Sequence, residues 1–385
     1  MPHIIFRTTP RILMGPGCLD QIGQEVKTLK GEKVLIVTDP GIIKAGLLDQ
    51  LEPYLAKAGV PYALFDQVEP DPRIEVVDQA LDRLKREKCD AVIGLGGGSA
   101  LDIAKVVAVM AVNPGHISSY FGVDLLGQPG LPLIGIPTTA GTGSEVTPIA
   151  ILSDEREHLK KGVVSSHLFP RVAILDPLLT LGVPPAVTAY TGMDALIHAI
   201  EAFTSVNAND LTDHLAFRAI ELTYGHLPTA YARGEDVQAR SKMLEGSMLA
   251  GMAFANAGVT AVHAFAYPLG GEFHHIPHGL ANAVMLTHVL RFNMLGNLPK
   301  FAEISSALGL YTEDLTDRQA AEEGIETIEE LMEDLNLPLR LRDFGVPEEA
   351  IPGLAQGVLK VTRLLANNPR RITLEDAERI YRNAW

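Results

Sequence analysis

Asp194 and His198 stand four residues apart, and the run from His263 to His278 carries imidazoles at His263, His274, His275 and His278. On a helix, positions i and i+4 share a face, so Asp194 and His198 can reach one ion, with Glu201 on the same side a turn later. One carboxylate with three imidazoles is a set of hard and borderline ligands suited to a divalent iron or zinc ion. By itself an i,i+4 pair is more often an ordinary core or surface pair. The weight comes from His263, expected on a second helix, and from His278 in Pro277-His278-Gly279, a turn free of helical constraint. His274 and His275 compete with His278 for the last place, their plainer reading being solvent exposure or hydrogen bonding behind the ligands. Glu201 reads as an ion-pair partner or as a group that orients a ligand. His3, His116, His158, His167, His214, His226 and His288 show no partner spacing.

Two loops add a second chemistry. After an apolar run ending at Leu95 come Gly96, Gly97, Gly98 and Ser99, then a segment with helical character from Ala100 to Val112. Glycine lets a pyrophosphate approach the backbone, and the free N–H groups of a helix start attract its charge. The second loop, Pro137-Thr-Thr-Ala-Gly-Thr-Gly-Ser-Glu145, brings hydroxyls from Thr138, Thr139, Thr142 and Ser144 toward a phosphate or ribose. Each loop alone is a tight or polar turn as readily as a ligand site. Asp39 follows the run Val34 to Val37, where a carboxylate can accept from both hydroxyls of an adenosine ribose and repel a 2'-phosphate, so NAD is expected over NADP. An Asp-Pro pair at a strand end is otherwise a turn or helix cap. Asp39 precedes the glycines, which is not the order of the usual Rossmann fingerprint.

The elements that must position these residues differ between the two halves. Continuous apolar runs at Val34 to Val37, Ala91 to Leu95, Leu131 to Ile136 and Val172 to Leu175 read as strands buried on both faces. Helix-like segments such as Gly46 to Ala58 and Ile74 to Lys88 separate them, which predicts a parallel sheet with ligands beyond the strands' carboxyl ends. Pro177, Gly182, Pro184 and Pro185 mark a boundary, giving an α/β dinucleotide-binding domain over 1–183 and an all-α metal and substrate domain over 184–385. In the second half, Leu211, Leu215, Ala219 and Ile220 form one helical stripe, and Ile325, Ile328, Leu331, Met332 and Leu335 another, with Gly324 weakening its start. Thr373 followed by Asp376 predicts the cap of a last helix.

Composition sets the outer bounds. A chain of 385 residues, 47% apolar, can fill two cores. With 47 acidic against 32 basic residues, the formal charge of -15 argues against a phosphate-backbone partner, so no nucleic acid is expected. Two cysteines, Cys18 and Cys89, make no framework and point to a reducing interior. Arg7 and Arg11 interrupt the place of a signal-peptide core, and no apolar run reaches a membrane span, so the reading is a cytoplasmic protein without a membrane partner.

Taken together, Gly96 to Ser99, Pro137 to Glu145, Asp176-Pro177, Gly192-Met-Asp-Ala-Leu-Ile-His198, Ala253-Phe254 and Pro277-His278-Gly279 make the chain resemble the iron-containing (group III) alcohol dehydrogenase family over nearly its whole length. The resemblance implies a dehydroquinate synthase-like architecture with a catalytic cleft between the domains. Ferrous iron would be held by Asp194, His198, His263 and His278, with zinc as the other candidate. It places Asp39, Gly97, Gly98, Ser99, Asp102, Thr138, Thr139, Thr142, Ser144 and Lys160 at the nucleotide. Where many members carry a histidine four residues after the third ligand, this chain has Tyr267, whose hydroxyl would take over proton transfer. The stretch from His263 to Pro277 is also one residue longer than the common pattern. Phe254 would wall the substrate pocket. The implied reaction is hydride transfer between NAD(H) and a small primary alcohol or aldehyde, the metal lowering the pKa of the alcohol oxygen as a Lewis acid. The rival readings are glycerol dehydrogenase-type polyol oxidation, a dehydroquinate synthase-like cyclisation, and a non-catalytic nucleotide- or metal-binding protein. The resemblance further suggests a homodimer or larger assembly, with pairing through Ile4 to Phe6.

Overall fold

The computed structural model describes residues 3–154 and 159–385; His158 lies outside the described residues. The chain divides into two compact units, one of Arg7–Val183 and one of Pro184–Trp385. Residues 3–6 group with the second unit, whereas the sequence reading assigned them to the first.

In the first unit, β1 (Ile12–Met14), β2 (Val34–Val37), β3 (Tyr62–Phe65), β4 (Ala91–Gly96), β6 (Leu133–Pro137) and β9 (Val172–Leu175) form a six-stranded sheet in the order β1-β9-β6-β4-β2-β3. Every pairing in it is parallel. Both faces are buried, which explains the unbroken apolar runs. Leu35, Val37 and Val92 enter one core, while Val34, Ile36, Ile93 and Leu95 enter the other. A smaller sheet, in the order β5-β8-β7, joins β5 (Gly122–Val123), β7 (Ile149–Asp154) and β8 (Leu159–Val164). It escapes the sequence reading because β7 alternates, burying Ala150 and Leu152 while Ile149 and Ile151 stay half-exposed. Within this single chain residues 4–6 pair with no strand of the sheet.

The parallel register lines up the strand ends that matter. Val37 of β2 lies opposite Gly94 of β4, and Gly96 opposite Pro137 of β6, so the segments after β2, β4 and β6 emerge side by side. The helix that follows β4, α1 (Gly98–Met110), packs on the sheet.

The second unit is helical throughout its described elements. Four helices carry its candidate site residues: α2 (Pro185–Thr204), α3 (Val237–Ala257), α4 (Ala261–Glu272) and α5 (His278–Asn293). The helix Asp210–Ala232 packs on α2 and α3, burying Ala216, Ala219 and Ile220. Leu211, expected on its core stripe, is exposed. In Asp317–Asp334 all of Ile325, Ile328, Leu331 and Met332 are buried. That helix starts at Asp317, seven residues before Gly324, under a capping box from Thr316. Gly324 is an interior residue against which Ser305 packs. Thr373 and Asp376 form the predicted cap of the last helix, Leu374–Ala384. No single helix among the described residues is long and apolar enough to cross a membrane.

Candidate metal centre and nucleotide loops

Three helix segments converge in the second unit. Asp194 sits in the middle of α2, His263 in the first turn of α4, and His278 is the first residue of α5. Gly279 permits this: a Cβ there would stand 2.3 Å from the Tyr190 carbonyl oxygen of α2, so only glycine lets the start of α5 lie against that helix. As a result one ligand atom from each of Asp194, His263 and His278 falls within 4.8 Å of the others. His198 adjoins this trio without joining it. Its Nδ1 is 4.0 Å from Asp194 Oδ2, and its ring stacks between those of Phe254 (4.4 Å) and His263 (4.6 Å). His274 and His275 are exposed, with His275 Nε2 bonded to the Phe344 carbonyl.

Glu201 proves central. Its Oε1 accepts from Thr260 N (3.0 Å), Thr260 Oγ1 (2.7 Å) and Val262 N (2.8 Å), and its Oε2 takes the Nδ1–H of His263. A carboxylate on Nδ1 fixes the proton there and leaves Nε2 as a lone pair directed at Asp194, 3.9 Å away. Burial pushes the Glu201 carboxyl up, but the charge and hydrogen bond of His263 and the Thr260 hydroxyl outweigh it, and its pKa is lowered. Asp194 is likewise buried, and the charges of His198, His278 and His263 with the Asn282 amide bring its pKa below the usual value. For His263 burial acts downward, and Glu201 and Asp194 reverse it, leaving the pKa raised. Donors of the right types, the carboxylate held ionised, fit a divalent cation. Asn282, one turn after His278, was missed by the sequence reading although its i+4 spacing marks it.

Two further predicted residues flank the trio. Phe254 of α3 is buried against the His198 ring. Tyr267, one turn after His263 on α4, is half-exposed with its ring 6.2 Å from that of His278.

In the first unit the ten predicted nucleotide residues fall into three groups. Gly97, Gly98, Ser99, Thr139, Thr142 and Asp39 are half-exposed at the carboxyl ends of β2, β4 and β6. Gly97 precedes the first turn of α1 with no side-chain cap, leaving its N–H groups for an anion. A Cβ on Gly98 would lie 2.7 Å from Thr142 Cγ2, so glycine lets the two loops touch. Asp39 caps the short helix Pro40–Lys44, its Oδ1 accepting from Gly41 N (2.8 Å) and Ile42 N (3.1 Å), while Oδ2 faces the Gly96 backbone. An uncapped helix start flanked by glycines and hydroxyls fits a pyrophosphate.

The second group knits the loops together. Ser144 Oγ donates to Asp102 Oδ1 (2.6 Å) and Ile151 N to Asp102 Oδ2 (2.8 Å), while Thr138 is buried. Lys105, which the sequence reading passed over, is fully buried beneath them. It donates to Ser144 Oγ (2.7 Å), Thr147 Oγ1 (3.1 Å) and the Ile149 carbonyl (2.8 Å). Burial lowers its pKa to about 8 against the opposing charges of Asp102 and Glu145, and burial pushes Glu145 up to about 7. Lys160 stands apart on β8, its ammonium 2.7 Å from Asp71 Oδ1. A nucleotide phosphate would have to share that lysine with Asp71.

The family models agree with both halves. Residues 9–177 match the model of iron-containing alcohol dehydrogenase, and 188–385 that of the Fe-containing alcohol dehydrogenase family, C-terminal. A long-chain-alcohol dehydrogenase of Geobacillus thermodenitrificans is 44% identical over 97% of this chain and 94% of its own. The crystal structure of a 1,3-propanediol oxidoreductase superposes with a TM-score of 0.97 at 40% identity, covering all of both chains. That of sulfoacetaldehyde reductase from Bifidobacterium kashiwanohense in complex with NAD+ gives 0.88 at 31% identity, covering 100% of this chain and 99% of that one. The chain belongs to the iron-containing alcohol dehydrogenase family.

Proposed function

We propose that this protein is an NAD(H)-dependent oxidoreductase interconverting a small primary alcohol and its aldehyde at a divalent metal centre, iron in the first place. The observation that carries the reading is the buried convergence of Asp194, His263 and His278. His198, stacked beside them, supplies the fourth ligand. When bound, the ion supplies Lewis acidity that eases loss of the alcohol proton and polarises an aldehyde carbonyl. Glu201 holds His263 in the tautomer that offers Nε2, and Phe254 keeps the His198 ring in place and walls the apolar side of the alcohol site. Tyr267 passes the hydroxyl proton toward solvent, as its half-exposed position one turn from His263 suits.

On the nucleotide side, the α1 amino terminus with Gly97, Gly98 and Ser99 receives the pyrophosphate, and Thr139 and Thr142 donate to phosphate or ribose. Asp39 accepts from the adenosine ribose, which disfavours a 2'-phosphate. Thr138, Asp102 and Ser144 serve by holding the loops.

Replacing His263 with Ala tests this directly. Metal content by elemental analysis and turnover of an alcohol panel, followed by NADH absorbance, should both fall to background while the circular dichroism stays native. Full turnover by His263→Ala, or by wild type stripped with chelator, would refute the metal role. A panel of primary alcohols, glycerol and 1,3-propanediol separates simple alcohol from polyol oxidation.

A further inference from the structure

Asn282 occupies an unusual position for an amide. It is fully buried one turn into α5, and its Nδ2 lies 2.8 Å from Asp194 Oδ1, 3.2 Å from His263 Nε2 and 3.2 Å from His278 Nε2. One nitrogen thus touches an atom of every member of the trio that could hold a cation. Asp194 is an acceptor, and His263, its proton fixed on Nδ1 by Glu201, offers Nε2 as another. Polar atoms crowded this closely and out of reach of water need a donor or a cation among them. The other end of the amide shows which demand prevails: Asn282 Oδ1 is buried with no hydrogen-bond partner. Turning the carboxamide over would place an acceptor among acceptors. Its orientation is therefore set by the donor set, at the expense of its own oxygen.

We propose that Asn282 is a positioning residue of the metal centre, its two N–H groups standing in for the cation by serving Asp194 and, one at a time, the imidazoles of His263 and His278, so that the three stay in convergent array until an ion takes over those contacts. The inference rests on the metal-site reading above. A residue with this role stabilises the metal-free protein more than the loaded one. A residue that merely fills space stabilises both equally.

The test uses the full chain, stripped with chelator and then titrated with Co2+, whose visible absorption reports its coordination. Asn282→Ala should lower the melting temperature of the stripped protein by roughly 4 °C or more, and that of the Co2+-loaded protein much less, while binding Co2+ at least as tightly as wild type. Asn282→Asp, which adds a carboxylate beside Asp194, should show a still larger gap between the two forms. A variant that folds only with Co2+ is the same result in its extreme form. Equal losses in both forms, failure to fold in either, or weakened Co2+ binding would overturn the proposal. Absence of Co2+ binding by wild type would instead remove the metal site itself.

Discussion

Two pairs of carboxyl groups, one in each unit, respond to burial in opposite ways. In the helical unit Asp194 and Glu201 are enclosed, yet their pKa values fall below the ordinary range. In the α/β unit Glu145 is equally enclosed and Asp102 is mostly covered, its side chain 14% exposed, and theirs rise. Burial acts upward on all four, so partners decide the sign. Glu201 collects two backbone N–H groups, a hydroxyl and an imidazole, and Asp194 faces three imidazoles and an amide. Asp102 and Glu145 share one lysine, itself driven toward neutrality, and Glu145 Oε1 has no partner at all. The helical site spends its polar groups on keeping negative charge available to a ligand. The α/β network spends its polar groups on tying α1 to the loop after β6 and to β7.

Removing Lys105 should give the largest effect. In Lys105→Met the side-chain length is kept, but Asp102 and Glu145 lose the cation that draws both and Ser144, Thr147 and Ile149 lose their donor. Breaking a buried pair on one side costs about 3–5 kcal/mol. The variant should unfold at lower denaturant and show a raised KM for NAD+ with kcat less affected, since Lys105 supports the loop without reaching the nucleotide. Unchanged stability would mean that the network is neutral when buried, and the contrast between the units would vanish.

Glu201→Gln probes the other side. The amide can still accept from Thr260 and Val262, but it lacks the charge that fixes the His263 tautomer. Loss of such an outer partner typically weakens metal binding about 10–100-fold. Co2+ titration should show this fall with secondary structure unchanged, and Glu201→Asp should restore part of the binding where Gln does not. A Gln variant with wild-type affinity would show that His263 is oriented by packing against His198 alone.

How much of this was legible in sequence follows from the range of the interactions. The strands β2, β4 and β9 could be read because strands covered on both faces are apolar at every position. The hairpin of β7 and β8 could not, because a half-covered strand alternates and resembles a polar loop. Asp194, His198 and Glu201 declared their shared face through helical spacing, and Tyr267 its place relative to His263. The choice between His278 and its neighbours His274 and His275 needed the close approach of Gly279 to Tyr190, a contact 89 residues apart in the chain. Lys105 was invisible for the same reason. In isolation it reads as one more lysine on a helix, and its partners lie 39 to 44 residues away. Glu145 stood inside a recognised motif, but nothing local announced that it would be buried.

Glu145 supplies the finest discrimination between the two centres. Its carboxyl is held at about 7 against an ordinary value of 4.5, so the folded state binds the proton more tightly than the unfolded chain. A raised carboxyl pKa contributes stability that is fully present below about pH 4.5 and is lost as pH climbs through about 7. Lys105 runs the other way, its contribution being lost as pH falls through about 8, so below about pH 7 it is a nearly constant offset. Between about pH 5 and about pH 7 the wild type should therefore lose about 2 kcal/mol relative to Glu145→Gln, which has no proton to release. Denaturation midpoints of both proteins across that window measure it. Converging curves at low pH and separating curves at high pH are expected. Parallel curves would place Glu145 in the same class as Asp194 and Glu201, a buried carboxylate fully compensated by its surroundings, and the distinction between a charge-presenting and a charge-suppressing centre would fail at this residue.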